Sequence, residues 1–231
     1  MHIYGFQRLT LLDYPGLLAC TIFLGHCNFR CPFCQNGNIL LYPKRELEIS
    51  EEEVMAHLKK RRGILEGVCV TGGEATLDPD LPEFLRRIKA LGYQVKLDTN
   101  GYRPNILKRM ASEGVLDYVA MDIKNAPDRY GETVGVKGLD VLKIQHSVEF
   151  LIGGTINYEF RTTVMRELHG WEEFKQIGNW LAGCQRYYLQ NYRESESVIT
   201  PVFSGYSKEQ LERFRELLMR SIPEVGIRGV E

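Results

Sequence analysis

The chain has 231 residues, of which 44% are hydrophobic and 26% are charged, and its formal net charge is −1. This composition is ordinary for a globular protein, and a net charge near zero gives no reason to expect nucleic acid or an anionic membrane as a partner. No run approaches the ~18 consecutive apolar residues of a transmembrane helix, and residues 1–8 lack the layout of a signal peptide. We therefore expect a cytoplasmic protein.

Short apolar runs alternate along the chain with helical patterns. Six runs are nearly continuous rather than alternating, as in parallel strands that are buried on both faces. They cover residues 17–24, 68–71, 95–97, 118–123, 160–164 and 187–189. Capping boxes, early prolines and terminal glycines predict helices from residues 51 to 62, 80 to 91, 104 to 113, 138 to 151, 171 to 182 and 207 to 218.

Six strand–helix units in this order predict parallel strands joined by right-handed crossovers. Because eight units would close a full barrel, six predict an α/β fold in the form of a partial (β/α)6 barrel with an open side. We expect a single domain over 1–231, with an N-terminal lead-in at 1–16, the barrel core at 17–205 and a C-terminal helix and tail at 206–231. The lead-in ends in a Pro-Gly turn, and we interpret it as a β-ribbon that closes one end of the core.

Three cysteines stand close together directly after the first predicted strand. Cys27, Cys31 and Cys34 form a C-x3-C-x2-C array. A structural zinc site takes four protein ligands, and an electron-transfer cluster usually takes four cysteines. Three ligands predict instead an iron–sulfur cluster with one iron left open for catalysis. A zinc knuckle with His26 or a distant residue as fourth ligand, or three unrelated buried cysteines, are the alternatives.

The array continues as C-x3-C-x-aromatic-C, with Phe33 as the aromatic residue. This pattern resembles the signature of the radical S-adenosylmethionine (SAM) enzymes, and more narrowly that of the enzymes that activate glycyl-radical proteins. The resemblance implies that the three cysteines hold a 4Fe-4S cluster, that SAM chelates the fourth iron, and that Phe33 lies near the adenine. It also implies the partial barrel of the radical SAM type.

Polar residues follow the second and third predicted strands, where parallel α/β folds bind ligands. Gly72, Gly73 and Glu74 resemble the family motif that holds the amino group of SAM, although alanine follows Glu74 where activating enzymes usually have proline. Asp98 and Thr99 resemble the residues that approach SAM in the same enzymes. An ordinary turn is the alternative interpretation of each segment.

Three further residues at strand ends complete the candidate site. Asp122 and Lys124 are two positions apart and share one side of a strand. The resemblance assigns Lys124 to the SAM carboxylate, and an internal ion pair is the alternative. Arg161 lies in a buried strand and needs a partner, which is either the ligand or an acidic side chain. Gln190 ends the sixth strand and is expected to contact adenosine or substrate.

The resemblance implies a radical SAM activase that generates a glycyl radical on a partner enzyme. The compact size and the motifs at 13–16 and 98–101 are most similar to the activating protein of anaerobic ribonucleoside-triphosphate reductase, and a pyruvate formate-lyase-type activase is nearly as similar. A reductant such as flavodoxin or ferredoxin would supply the electron. Two other hypotheses are a radical SAM enzyme that acts on a small molecule, such as a deazapurine precursor, and a non-catalytic zinc-binding protein.

Overall fold

The computed structural model describes residues 1–41, 48–154 and 156–230. At its centre is one eight-stranded sheet in which the strands follow one another in chain order. The strands are β1 (Ile3–Thr10), β2 (Ala19–Leu24), β3 (Gly67–Gly72), β4 (Gln94–Thr99), β5 (Tyr118–Asp122), β6 (Asn157–Val164), β7 (Arg186–Asn191) and β8 (Glu224–Arg228).

The sheet is parallel except at its first strand. β1 pairs antiparallel with β2, and every later strand pairs parallel with the strand before it. Within the described ranges β1 and β8 do not pair with each other, so the sheet curls without closing. The predicted fold class, a partial α/β barrel with an open side, is confirmed.

Helices connect the parallel strands. They are α1 (Gly37–Leu41), α2 (Glu51–Lys60), α3 (Leu81–Ala90), α4 (Pro104–Ser112), α5 (Tyr130–Thr133), α6 (Val141–Ile152), α7 (Trp171–Trp180) and α8 (Lys208–Leu218). The six longer helices lie where the capping signals predicted them; Ser50, for example, accepts a hydrogen bond from the backbone N–H of Glu53. None of the described helices is long and apolar enough to cross a membrane.

The lead-in extends one edge of the sheet and covers one end of it. β1 pairs with β2 from Ile3 opposite Leu24 to Thr10 opposite Ala19, with register shifts between Ile3 and Gly5 and between Gln7 and Thr10. The loop that follows carries Tyr14, which is buried against Ala19 and Tyr118. Because these two residues begin β2 and β5, the loop covers the N-terminal ends of the strands. The opposite end, where the strands finish, is left for the candidate site.

The C-terminal segment contains a strand that the sequence did not predict. β8 pairs with β7 from Glu224 opposite Arg186 to Arg228 opposite Gln190, so the sheet has one parallel strand more than the predicted six. Arg228 also donates two hydrogen bonds, of 2.7 and 2.8 Å, to the carboxylate of Glu159 on β6, which is 1% exposed. This ion pair ties the last strand to the interior of the sheet.

We expect Arg228→Met to lower the free energy of unfolding by about 2 kcal/mol, because the buried Glu159 carboxylate loses two charge-assisted hydrogen bonds. The full cost of a broken buried pair is larger, but Arg228 is 36% exposed on its side chain and solvent reduces the effect. Urea unfolding measures the change.

Lys175→Met is the matched control, since it breaks an exposed pair with Glu172 and should cost less than about 1 kcal/mol. The double variant Glu159→Gln/Arg228→Met should recover part of the loss. Equal effects of Arg228→Met and Lys175→Met would show that the buried pair does not stabilise the fold.

Candidate active site

The C-terminal ends of β3 to β6 and the loop after β2 surround one cavity. Of the thirteen residues predicted for the site, eleven line it, and two, Glu74 and Gln190, do not. The eleven are Cys27, Cys31, Phe33, Cys34, Gly72, Gly73, Asp98, Thr99, Asp122, Lys124 and Arg161. Residues that are far apart in sequence therefore meet here because parallel strands end at the same edge of the sheet.

Hydrogen bonds of the main chain hold the cysteine loop, residues 25–36, in place. The N–H of Cys34 donates to the carbonyl of Cys31 over 3.1 Å, and the N–H of Arg30 donates to the carbonyl of Val134 over 2.9 Å. The N–H of Phe29 points at the sulfur of Cys27 from 3.3 Å. Such N–H donors stabilise a thiolate once a metal has bound it.

The Gly72-Gly73-Glu74 turn touches the cysteine loop, backbone against backbone. A Cβ atom on Gly73 would lie 1.8 Å from the carbonyl oxygen of His26, and the N–H of Glu74 donates to that same oxygen over 2.8 Å. Gly72 has a φ of 120°, and a Cβ there would lie 2.2 Å from the carbonyl oxygen of Leu24. Only glycine permits this approach at both positions.

The structure does not place His26 among the cavity residues. Its side chain is exposed, and its ring packs edge-on against the ring of His2 with 5.4 Å between centroids. Its backbone has a φ of 60°, the only positive value at a non-glycine residue in the described chain. His26 thus shapes the turn into the cysteine loop through its backbone.

Glu74 lies behind the cavity wall instead of inside the cavity. Its side chain is 1% exposed, and its carboxylate accepts hydrogen bonds from the N–H and hydroxyl of Thr76, the hydroxyl of Thr99 and the N–H of Asn100. Burial raises the pKa of Glu74 despite these donors. The carboxylate fixes the ends of β3 and β4, and Gly72 and Gly73 form the wall. The role of Glu74 towards the amino group of SAM stays a prediction.

Gln190 lies on β7, beyond the strands that line the cavity. It stands opposite Thr163 of β6 and Arg228 of β8. The lining of the cavity ends with Arg161 and Thr163 of β6, one strand before Gln190. The contact of Gln190 with adenosine or substrate stays a prediction.

Five charged side chains form a chain of contacts along one wall. Lys96 donates to Asp98, and Asp98 lies 3.0 Å from the Nη2 atom of Arg161. The Nε atom of Arg161 donates to Asp122 over 2.7 Å, and Lys124 donates to the other oxygen of Asp122 over 2.9 Å. The internal ion pairs foreseen as alternatives for Lys124 and Arg161 thus exist, and both side chains also line the cavity.

The neighbouring cations keep Asp98 and Asp122 ionised. Burial alone would raise the pKa of Asp98 and Asp122, but the neighbouring cations outweigh it and hold each pKa below its usual value. Burial would lower the pKa of Lys124, and the Asp122 carboxylate reverses the direction. Three cations against two carboxylates leave a surplus positive charge, which suits an anionic group of a ligand.

Burial favours the protonated form of all three cysteine thiols. Burial raises the pKa of Cys27 to about 11 and that of Cys31 to about 12, and it also raises the pKa of Cys34. The positive charge of Lys124 opposes this rise at all three thiols. Metal binding must therefore displace protons, and the thiolates gain their charge only with the metal.

The three cysteines line one cavity together with Lys124. In an iron–sulfur cluster the thiolates bind separate irons, whereas a structural zinc site takes four protein ligands around one centre. Three thiols on one cavity fit a 4Fe-4S cluster whose fourth iron is left for another ligand.

His169 fixes the segment that carries Lys124. It is 1% exposed, its Nδ1 atom accepts from the N–H of Met165, and its Nε2 atom lies 2.9 Å from the carbonyl oxygen of Lys124. These contacts require a neutral ring with the proton on Nε2. Burial lowers the pKa of His169 to about 4. This role could not be predicted from the sequence, because His169 belongs to no motif.

Sequence reasoning also missed two polar residues, Lys96 within β4 and Asn100 directly after it. Asn100 directs its side-chain amide at the sulfur of Cys27 from 3.9 Å and donates to Asn28 over 2.9 Å. Lys96, 1% exposed, anchors Asp98. Lys96 could have been predicted to pair with an acidic residue, because it lies inside an otherwise apolar strand and a buried charge needs a partner.

A segment after β7 binds the cysteine loop and was not predicted to do so. The N–H groups of Ile199 and Thr200 donate to the carbonyls of Cys34 and Pro32 over 3.2 and 2.8 Å. The ring of Phe203 packs edge-on against Phe33 with 6.0 Å between centroids. Residues 193–204 therefore cover one side of the site.

Residues 21–218 match the protein family described as the radical SAM superfamily. The chain belongs to this superfamily. Its enzymes use a 4Fe-4S cluster and SAM, so the predicted family and cofactors are confirmed. The roles assigned to single residues remain predictions of this site.

Two relatives and one solved structure show the range of similar proteins. The "Putative glycyl-radical enzyme activating enzyme" of Methanocaldococcus jannaschii is 29% identical over 84% of this chain and 81% of its own length. The 7-carboxy-7-deazaguanine synthase of Koribacter versatilis is 30% identical over 69% of this chain and 67% of its own. A domain of the pyruvate-formate lyase-activating enzyme of Bacteroides vulgatus shares the fold, with a TM-score of 0.58 and 18% identity over 71% of this chain and 99% of that one.

We expect the stability of the metal-free protein to depend on His169 below neutral pH. The unfolded state takes up a proton near pH 6.5 and the folded ring only near pH 4, so the unfolded state binds more protons between these values. The free energy of unfolding therefore decreases as pH falls through this window, by up to about 1 kcal/mol per pH unit. Urea unfolding from pH 7 to pH 4.5 measures this slope.

The variant His169→Gln should have a shallower slope than the parent, and His146→Gln, at an exposed histidine, should keep the parental one. Equal slopes in all three proteins would contradict the buried neutral ring.

Proposed function

We propose that this radical SAM enzyme is an activase that generates a glycyl radical on a partner protein, with anaerobic ribonucleoside-triphosphate reductase as the leading partner. The similarity to the Methanocaldococcus jannaschii protein carries the proposal, because it spans 84% of this chain. The motifs at 13–16 and 98–101 support the same assignment. A pyruvate formate-lyase-type partner is the next candidate.

When bound, the 4Fe-4S cluster and SAM would supply one-electron radical chemistry for the abstraction of a hydrogen atom from glycine. The protein contributes binding, orientation and exclusion of water. Cys27, Cys31 and Cys34 would hold three irons. The surplus positive charge around Lys124 and Arg161 would receive the SAM carboxylate.

The walls of the cavity would orient the rest of the cofactor. Phe33 is 4% exposed, and its ring centre lies 6.0 Å from the Lys124 ammonium group, which places an aromatic face beside the proposed carboxylate site. Asp98 and Thr99 come from β4, one strand away from the glycine turn. We assign Asp98 to hydroxyl groups of the ligand, because ionised carboxylates accept strong hydrogen bonds from them.

A protein substrate suits the open side of the sheet. Since β1 and β8 do not pair in the described structure, the barrel leaves a gap through which a loop of a large partner can reach the cavity. A reductant such as flavodoxin or ferredoxin would supply the electron. The partner binding and the reductant are both parts of the proposal.

We expect the anaerobically reconstituted, reduced protein to form 5′-deoxyadenosine from SAM and to produce a glycyl-radical electron spin signal on an added reductase. Cys31→Ala should abolish both, because the cluster loses one of its three ligands. Cys184→Ala, which removes a buried cysteine outside the cavity, should retain both.

A result in which 5′-deoxyadenosine forms and no candidate partner gains a radical would leave the family intact and reject the activase. Equal product from Cys31→Ala and the parent would reject the cluster assignment.

We expect Lys124→Met to raise the dissociation constant for SAM about tenfold to a hundredfold, because a hydrogen bond between charged groups contributes about 1.5–3 kcal/mol. Calorimetric titration of the reconstituted protein measures it. Lys89→Met is the matched control, since it breaks a lysine–aspartate pair with Asp117 outside the cavity. A SAM affinity that Lys124→Met leaves unchanged would remove Lys124 from the proposed carboxylate site.

A second candidate is a radical SAM reaction on a small molecule such as a deazapurine precursor. The 30% identity to a 7-carboxy-7-deazaguanine synthase over 69% of this chain favours it. The two candidates separate when the enzyme is supplied with each substrate in turn: the activase needs the protein partner for hydrogen abstraction, and the small-molecule enzyme does not.

A further inference from the structure

A basic surface lies on the outside of the cysteine loop. It consists of Arg30, Arg103, Lys137 and Lys143, whose side chains are all exposed. In the described part of the chain none of these four residues forms an ion pair with an acidic side chain. The acidic side chains of the segment from 129 to 143 are Glu132, which pairs with Arg129, and Asp140, which is exposed and caps α6. The four cations therefore outnumber the carboxylates nearby, although the whole protein has a net charge of −1.

Two of the four side chains contact the cysteine loop itself or an aromatic ring that packs against it. The guanidinium of Arg30 donates to the carbonyls of Cys27 and Phe29 over 2.6 and 2.7 Å. The ring of Phe29 packs against Tyr102 with 5.7 Å between centroids, and the Lys143 ammonium group lies 4.8 Å from the centre of the Tyr102 ring. Arg30 thus contacts the backbone of Phe29, and Lys143 contacts the ring that packs against Phe29.

The other two residues lie on segments bonded to the loop. Arg103 follows Tyr102, whose N–H donates to Asn100 over 3.0 Å, and Asn100 lies 3.9 Å from the sulfur of Cys27. Lys137 follows the turn at Val134, which accepts a hydrogen bond from the N–H of Arg30. Each member of the basic surface is therefore only a few contacts away from Cys27, which is itself only partly buried.

We propose that this surface docks an acidic one-electron donor protein beside Cys27. The inference rests on the proposed protein reductant and holds whichever substrate the enzyme uses. In the docked complex the donor loses one electron and the cluster gains one, and no covalent bond forms or breaks. Opposite charges on two proteins accelerate their encounter by about 10- to 1,000-fold at low salt, and an acidic donor would be guided to the cluster end of the barrel.

A second basic group on this chain provides the control. Lys59, Lys60, Arg61 and Arg62 end α2 and precede β3, so they lie at the N-terminal end of the strands, away from the cavity. They are exposed and, like the first group, form no ion pair with a described acidic residue. Reversing two charges here changes the net charge as much as reversing two charges beside Cys27.

The experiment compares Arg103→Glu/Lys143→Glu with Lys60→Glu/Arg62→Glu in the reconstituted holoenzyme. The first pair lies at the starts of α4 and α6, where carboxylates are favourable, so the fold should survive. The rate of cluster reduction by an acidic flavodoxin, followed by the loss of visible absorbance, is measured at low and high salt. Reduction by photoreduced deazaflavin, a small molecule, reports whether the cluster itself is intact.

We expect the first variant to be reduced by flavodoxin about tenfold more slowly than the parent at low salt, with a weaker salt dependence. The second variant should resemble the parent, and deazaflavin should reduce all three proteins alike. Equal flavodoxin rates for the two variants would overturn the proposal. So would a first variant that keeps the parental flavodoxin rate and loses binding of a glycyl-radical partner, because the surface would then belong to that partner. Neither result bears on the activase proposal, which is tested by the glycyl radical.

Discussion

The hydrogen bond from the N–H of Glu74 to the carbonyl of His26 joins the two loops on which the site depends. One loop carries the cysteines and the other forms the glycine wall of the cavity. They can meet only because Gly73 has no Cβ, which would lie 1.8 Å from the His26 oxygen. The buried Glu74 carboxylate then ties this turn to Thr99 and Asn100. A single backbone contact thus brings the proposed metal ligands and the proposed cofactor wall together.

The buried thiols and the buried aspartates of the site differ in their protonation. The thiols are buried enough that their pKa values are raised and they require the metal for deprotonation. The neighbouring aspartates are also buried, yet Arg161 keeps both ionised. Arg161 achieves this from one position because it contacts Asp98 and Asp122 together. Burial therefore has opposite consequences for groups with and without a cation beside them.

Several site residues followed from sequence because local rules fixed them. The cysteine spacing, the paired glycines and the Asp122–Lys124 interval each imply a short-range geometry that the fold preserves. Glu74 and Gln190 lie outside the lining of the cavity, and their roles towards a ligand stay predictions. A carboxylate after two glycines can face the ligand or the protein, and the choice depends on Thr76, Thr99 and Asn100. Whether a strand end faces the cavity depends on the curvature of the whole sheet.

The sequence by itself determined the order of strands and helices, the parallel sheet and the cysteine motif, since these depend on apolar runs, capping residues and spacing. Tertiary structure decided the rest. β8 has no continuous apolar run, and its edge position and the Arg228–Glu159 pair make it a strand. Lys96 and His169 became parts of the site only through partners distant in the chain. Such contacts depend on how the strands are placed side by side, and no local pattern records that placement.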